Sequence, residues 1–241
     1  MPYTTNIEIK GRAILLFEQS GTFKAAFQSC GLPAYDIDIC NDFNQTDYIM
    51  DIFFEIDHYL SARCGLFADI TEDDFVMAFF PCTYFCDANA LLFSTTHNSY
   101  HDMPMRDAID KIICRSSMRE RYYRKFCQLI SIAIEKKFPL VIENPYSGSS
   151  FLKLFAPIPP AFVDTNRQAH GDYFQKPTAY WAVNCRISNG MKTRYQFAGN
   201  TISKKYAVPG VKGKAASRSM ISPLYAQNFV EHCILQRYEE P

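Results

Sequence analysis

The sequence predicts an α/β fold built around a mostly parallel sheet. In the first half of the chain, short apolar runs alternate with stretches of helical periodicity, as expected for βαβ units. The run AILLF at 13–17 is continuously apolar, which is typical of a strand buried on both faces. Of the 241 residues, 48% are hydrophobic and 21% are charged. This composition is typical of a folded globular chain and excludes a disordered one.

Apolar runs and chain breakers predict the elements in order. Strands are predicted at 13–17, 34–37, 48–50, 75–80, 140–142 and 180–183. A helix containing Phe23 and Phe27 follows the first strand and ends at Gly31. Helical spacing of apolar residues predicts a second helix over 117–136. A closing helix is predicted over 222–235, with Pro223 in its first turn.

Polar or reactive residues follow each predicted strand. They are the segment 18–22, Asp36, Asp51, Cys82 and Glu143. Because the carboxyl ends of parallel strands share one edge of an open sheet, where ligands bind, we expect these residues to lie together.

The net charge is zero, but its distribution is uneven. Residues 1–115 hold 7 basic and 17 acidic side chains, whereas residues 116–241 hold 18 and 8. No acidic residue occurs between Asp172 and Glu231, where nine basic residues lie: Lys176, Arg186, Lys192, Arg194, Lys204, Lys205, Lys212, Lys214 and Arg218. This bias favours an edge that faces a polyanion over a solvated basic loop.

The nine cysteines are an odd number without CxxC spacing. They predict free thiols in a reducing, cytoplasmic compartment. No second ligand pair accompanies Cys82 and Cys86, so no metal site is expected. No apolar run is long enough for a membrane span, and the first residues lack the apolar stretch of a secretory signal. We therefore expect no membrane partner.

Five short motifs occur in order along the chain. They are LFEQSGTF at 16–23, YDID at 35–38, Asp51-Ile52, FPCTYF at 80–85 and VIENP at 141–145. Together they resemble the cytosine-5 DNA methyltransferases that use S-adenosylmethionine, in particular short phage-type members. The resemblance extends over residues 13 to 230. It implies a class I methyltransferase (Rossmann-like) sheet with helices on both faces and a small irregular basic appendage, in a single domain over 1–241.

The resemblance implies a binding site for S-adenosylmethionine at the first three motifs. The residues implied are Phe17, Glu18, Gln19, Ser20, Gly21, Thr22, Asp36, Ile37, Asp51 and Ile52. The family has a glycine where this chain has Gln19. Asp38 competes with Asp36 as the acceptor of the ribose hydroxyls. Asp51 is also explained as a helix N-cap.

The resemblance assigns the chemistry to the last two motifs. Cytosine C5 is too weak a nucleophile to take a methyl group until a thiolate has added to C6, so Cys82 is the implied nucleophile. Pro81 holds its turn. Glu143 is implied to contact N3 and the exocyclic amine of the base, and Asn144 completes the motif.

Nucleic-acid contact is expected from a small irregular segment over 150–216. The implied contact residues are Arg167, Lys176, Thr178, Lys204, Lys205, Lys212, Lys214 and Arg218. Only about 30 residues, 185–216, separate two family-like blocks at 174–184 and 218–226, too few for a recognition domain with its own core. Target recognition is therefore short, relaxed or supplied by a partner protein, and DNA is the expected substrate.

Two other functions compete with this interpretation. Asn144-Pro145-Tyr146 partly resembles the motif of methyltransferases that act on adenine N6 or cytosine N4. Gln19 and the absent recognition domain suit a catalytically inactive DNA-binding or anti-restriction protein that kept the fold.

Overall fold

A computed structural model of the chain describes residues 7–193 and 219–237. These residues form an α/β structure with one seven-stranded mixed sheet. The strands are β1 (Ala13–Leu16), β2 (Ala34–Asp38), β3 (Tyr48–Ile49), β4 (Phe75–Phe79), β5 (Leu140–Pro145), β6 (Phe162–Asp164) and β7 (Thr178–Val183).

The strand order is β3-β2-β1-β4-β5-β7-β6. Strands β1 to β5 are parallel to one another, and β7 runs antiparallel between β5 and β6. The chain order reverses between β1 and β4, as in doubly wound, Rossmann-like sheets. Such a switch point opens a crevice at the carboxyl ends of the strands.

Helices cover the sheet and connect its strands. They are α1 (Thr22–Ser29), α2 (Ile52–Ala62), α3 (Leu66–Asp69), α4 (Met105–Lys136), α5 (Phe151–Phe155) and α6 (Pro223–Phe229), which continues as a π-helical turn over Val230–Ile234. Short 3-10 helices lie at Asp87–Phe93, Asn98–Tyr100 and Arg167–His170.

The two faces of the sheet bury separate hydrophobic cores. Ile14 and Leu16 of β1 belong to the core beneath α2 and α4, whereas Ala13 and Leu15 belong to the core beneath α1 and α6. Adjacent residues of a strand point to opposite faces, so an uninterrupted apolar strand is required. The AILLF run therefore predicted correctly that this strand is buried on both sides.

The second half of the chain differs most from its prediction. The helix expected at residue 117 begins at Met105, directly after Pro104. The segment 150–216 was expected to be irregular around a strand at 180–183; that strand is confirmed as β7, and β6 was not predicted. Strand β5 extends to Pro145 because β7 pairs with it along its whole length.

No helix within the described ranges is both long enough and apolar enough to cross a membrane. Most of the predicted basic edge, including Lys204, Lys205, Lys212, Lys214 and Arg218, lies outside the described residues.

Candidate functional site

The loop that carries Cys82 lies beside Glu143. Phe79, the last residue of β4, pairs with Glu143 of the neighbouring strand β5. The Asn144 side chain is fully buried, and its Nδ2 donates to the Phe80 carbonyl at 2.8 Å. Asn144 therefore fixes the backbone immediately before Pro81, where the loop leaves the sheet.

Cys82 has a second thiol as its neighbour. The backbone turns so that the amides of Phe85 and Cys86 donate to the Cys82 carbonyl at 2.9 and 3.0 Å. The two thiols hydrogen-bond to each other; this bond and burial raise the pKa of Cys82. The same bond, with backbone amides at the start of the following 3-10 helix, lowers the pKa of Cys86 to about 6. The pair therefore favours ionisation of Cys86 over that of Cys82.

Charged groups of the site act on these thiols in opposite directions. Lys176 lowers the pKa of both thiols, and Glu143 raises that of Cys82. Lys176 was predicted as a nucleic-acid contact; the structure places its charge close enough to influence the thiol pair.

The Glu143 carboxylate is buried and paired with a buried guanidinium. Arg167 Nη1 donates to Glu143 Oε1 at 3.3 Å and to Thr178 Oγ1 at 3.3 Å. Arg167 and Thr178 have no exposed surface, so neither lies where the predicted nucleic-acid contact requires it. Their position behind Glu143 compensates and orients this carboxylate instead.

A second carboxylate and the C-terminal segment hold Arg167 in place. Asp172 Oδ2 lies 2.6 Å from Arg167 Nη2, and its Oδ1 accepts from the Ser222 amide at 2.8 Å. The Arg167 guanidinium also lies 4.6 Å from the ring centroid of Tyr225 in α6. Tyr225 in turn donates to Asp164 at 3.0 Å. The predicted site is thus supported from a segment about 80 residues further along the chain.

The loop after β1 turns a carboxylate inward. Glu18 is buried, and it accepts from the amide of Ser20 at 2.7 Å and from its hydroxyl. Ser20 Oγ also lies 2.8 Å from Thr22 Oγ1, within hydrogen-bond distance. Burial raises the pKa of Glu18 above its ordinary value. Phe17, partly buried, packs edge-on against Phe53 and Phe80.

Gly21 is the glycine that this loop requires. Its φ of +74° lies in the left-handed region, and a Cβ there would come within 3.1 Å of the Gln45 side chain. Gln19 does not have a positive φ. Its Oε1 accepts from the Asp42 amide at 3.0 Å, so a side chain at this position joins the loop to the segment after β2.

Asp36 and Asp38 differ in how far their side chains are exposed. Asp36 is fully buried, lies 3.7 Å from Lys24 Nζ, and has its pKa raised to about 8 by burial and by the nearby charge of Glu18. Asp38 is the last residue of β2 and is partly exposed, with the Cys40 amide donating to it at 2.8 Å. As the structure stands, Asp38 rather than Asp36 presents oxygen atoms at the sheet edge.

The remaining predicted cofactor residues have clear structural roles. Asp51 caps α2, because its Oδ1 accepts from the amides of Phe53 and Phe54 at 2.9 and 3.3 Å. Ile37 and Ile52 are buried in the core beneath α2 and α4. Asp51 is exposed, so its second oxygen remains accessible at the edge.

Sequence reasoning missed three contributors to the site. Cys86 was visible only as a cysteine four residues after Cys82. Asp172 and Tyr225 gave no local signal, because their contacts with Arg167 depend on long-range folding.

Within the residues that the structure describes, no group of three His, Cys, Asp or Glu side chains could hold a metal ion. The sequence matches no protein-family model and no curated protein.

Proposed function

We propose that this protein is an S-adenosylmethionine-dependent methyltransferase that acts on cytosine C5 in DNA. The observation that carries the proposal is the pairing of β4 with β5, which puts the Cys82 loop and Glu143 side by side at the carboxyl edge of the sheet. Addition to cytosine C6 needs a thiol and a carboxylic group on the same base, and these strands supply both.

The loop after β1 suits a cationic cofactor with an adenosine group. Carboxylates lie at or near the ends of β1 and β2, and S-adenosylmethionine carries a sulfonium and an ammonium charge. Phe17 and Asp51 offer an aromatic surface and a carboxylate oxygen beside them. Asp38 would accept the ribose hydroxyls, since Asp36 has no exposed surface. When bound, this cofactor supplies the methyl group.

The chain's own residues then divide the remaining work. Cys82 forms the bond to C6 as a thiolate, which the charge of Lys176 stabilises, and its proton passes to solvent. Glu143 orients the base through N3 and the exocyclic amine, while Arg167 holds this carboxylate in place. The target base must leave the helical stack to reach them.

The structure argues against the amino-methyltransferase alternative. Such an enzyme needs the Asn144 side chain to face the target amine. Here Asn144 is fully buried, and its Nδ2 donates to the Phe80 carbonyl.

Methyl transfer from tritium-labelled S-adenosylmethionine to unmethylated DNA tests the proposal. We expect label on DNA with the wild type and background with Cys82→Ala. Cys64→Ala, which removes a free thiol just beyond the end of α2, is the matched control and retains activity. Mass spectrometry of the digested nucleosides identifies the methylated atom.

Three results would count against the proposal. Label transferred by Cys82→Ala would exclude the thiol mechanism. A methyl group on N4 or N6 would support the amino-methyltransferase. No label on DNA or RNA, with no binding of S-adenosylhomocysteine by calorimetry, would favour the inactive DNA-binding protein.

A further inference from the structure

Helix α4 is much longer than the sheet it covers. Its 32 residues extend about 48 Å, whereas the six residues of β5 extend about 20 Å. Apart from Ala108, its buried residues begin at Lys125. Phe126 packs against Phe80 near the carboxyl end of β4, so the helix N-terminal half projects beyond the edge that holds the predicted site.

One face of this projecting half is basic. Lys111, Arg115 and Arg119 follow one another at four-residue spacing, which places them on one face of the helix; we call them the α4 basic row. In the described part of the chain, none of the three forms an ion pair. Asp107 lies one turn before Lys111 but is not paired with it. The row therefore presents uncompensated positive charge.

The α4 basic row borders a cavity next to the Cys82 loop. The cavity has a volume of about 320 Å³, and its lining includes Lys111, Arg115, Tyr84 and Tyr100. Tyr84 follows Cys82 by two residues, and the Arg115 guanidinium lies 6.0 Å from its ring centroid. Arg119 packs over Phe93, 4.0 Å from the ring centroid, which fixes the inner end of the row. Charge and aromatic surface thus meet in a cavity whose lining includes Tyr84 of the nucleophile loop.

The spacing of the row suits a nucleic-acid backbone. Successive members are about 6 Å apart along the helix axis, so the row spans about 12 Å. One DNA strand carries a phosphate for about every 3.4 Å of axis, so three or four phosphates lie within this length.

We propose that the α4 basic row binds the phosphate backbone of DNA beside the target base. This inference rests on the proposed function, because it takes DNA as the substrate. It places a DNA contact on the helix that follows the nucleophile loop, in addition to the contacts expected from the lysine-rich segment after residue 185.

Fluorescence anisotropy with a labelled 20-base-pair duplex tests the proposal, with the full chain carrying Cys82→Ala so that no turnover occurs. The test variant adds Lys111→Gln and Arg115→Gln. The control adds Arg106→Gln and Arg124→Gln, which remove the same charge from the opposite face of α4. Circular dichroism melting confirms that both variants fold.

We expect the test variant to bind DNA more weakly by on the order of tenfold near 0.1 M salt. The slope of log K against log[salt] should fall in magnitude by about 2, since each lost phosphate contact removes about 0.9. The control should retain the parent slope.

Equal losses in the two variants, or no loss in the test variant, would overturn the proposal, as would a parent protein that binds no DNA. Equally tight binding of a labelled poly-glutamate peptide would instead indicate an acidic protein partner. Methyl transfer is measured separately on variants that carry the same α4 substitutions but keep Cys82. If methyl transfer occurs but the salt slope of the test variant is unaltered, only the proposal for the α4 basic row is rejected. If the salt slope falls as expected but no methyl transfer occurs, only the methyltransferase proposal is rejected.

Discussion

At the scale of single residues, the thiol pair determines how easily the candidate nucleophile ionises. A thiol that donates to a neighbouring thiolate is protected from ionisation, while the acceptor ionises more easily. Cys82 is the donor and Cys86 the acceptor. Cys86 is therefore the thiol of the pair that ionises first, and Cys82 becomes reactive only when its own proton is removed.

Alkylation as a function of pH tests this arrangement. We expect the rate at which iodoacetamide modifies Cys86 to rise with pH, with a midpoint of about pH 6. Mass spectrometry of the labelled peptides measures this rate. In Cys82→Ala this midpoint should rise, because the hydrogen bond that stabilises the thiolate is lost. An unchanged Cys86 profile in that variant would show that the two thiols do not interact.

Asp36 gives a pH dependence of stability with a defined sign. Its pKa is 3.8 in an ordinary carboxyl and about 8 in the folded chain. Between these values the folded state holds a proton that the unfolded state has lost. The free energy of unfolding therefore falls as pH rises from about 4 to about 8, by at most about 1.4 kcal/mol per pH unit.

Urea unfolding at pH 5, 7 and 9 measures this dependence. Asp36→Asn should lose the downward slope and gain stability relative to the wild type at pH 9. Asp42→Asn, at an exposed carboxyl, serves as the control and should follow the wild-type curve. Parallel curves for the wild type and Asp36→Asn would contradict the buried-acid explanation.

At the scale of elements, the start of α2 combines a structural role with a proposed binding role. Asp51 supplies the N-cap through Oδ1. Asp51→Ala should lower the free energy of unfolding by about 1 kcal/mol. Asp51→Ser should keep the cap and the stability but lower the affinity for S-adenosylhomocysteine several-fold, measured by urea unfolding and calorimetry. Wild-type affinity in the serine variant would remove Asp51 from the cofactor site.

The sequence predicted the strands that are buried on both faces and the helices that bury one long apolar face. The apolar runs of β1 and β4 are continuous because both faces of these strands are buried. The sequence therefore predicted the bounds of both strands to within one or two residues. Strand β6 has only three residues and lies soon after several prolines, too short for a periodic signal. The N-terminal half of α4 was missed because it projects from the sheet and has almost no buried face.

At the scale of the whole molecule, the sequence predicted which side chains share an edge but not what supports them. Strand ends and the sheet rule place Cys82 near Glu143, and the register confirms that proximity. The burial of Arg167 between Glu143 and Asp172 depends on β7 and α6, which reach it only in the folded chain. No spacing in the sequence encodes such a contact.

The link from Arg167 through Asp172 to Ser222 also sets the order in which the contacts around Glu143 form in a growing chain. During synthesis the N-terminal strands leave the ribosome first and can pair with one another. Glu143 and Arg167 are made before the C-terminal partners of this network, which are the Ser222 amide on Asp172 and the Tyr225 ring beside Arg167. These last two contacts form only when residues 219–237 emerge and dock. A nascent chain therefore carries its thiol and its carboxylate for the last part of translation without a finished site.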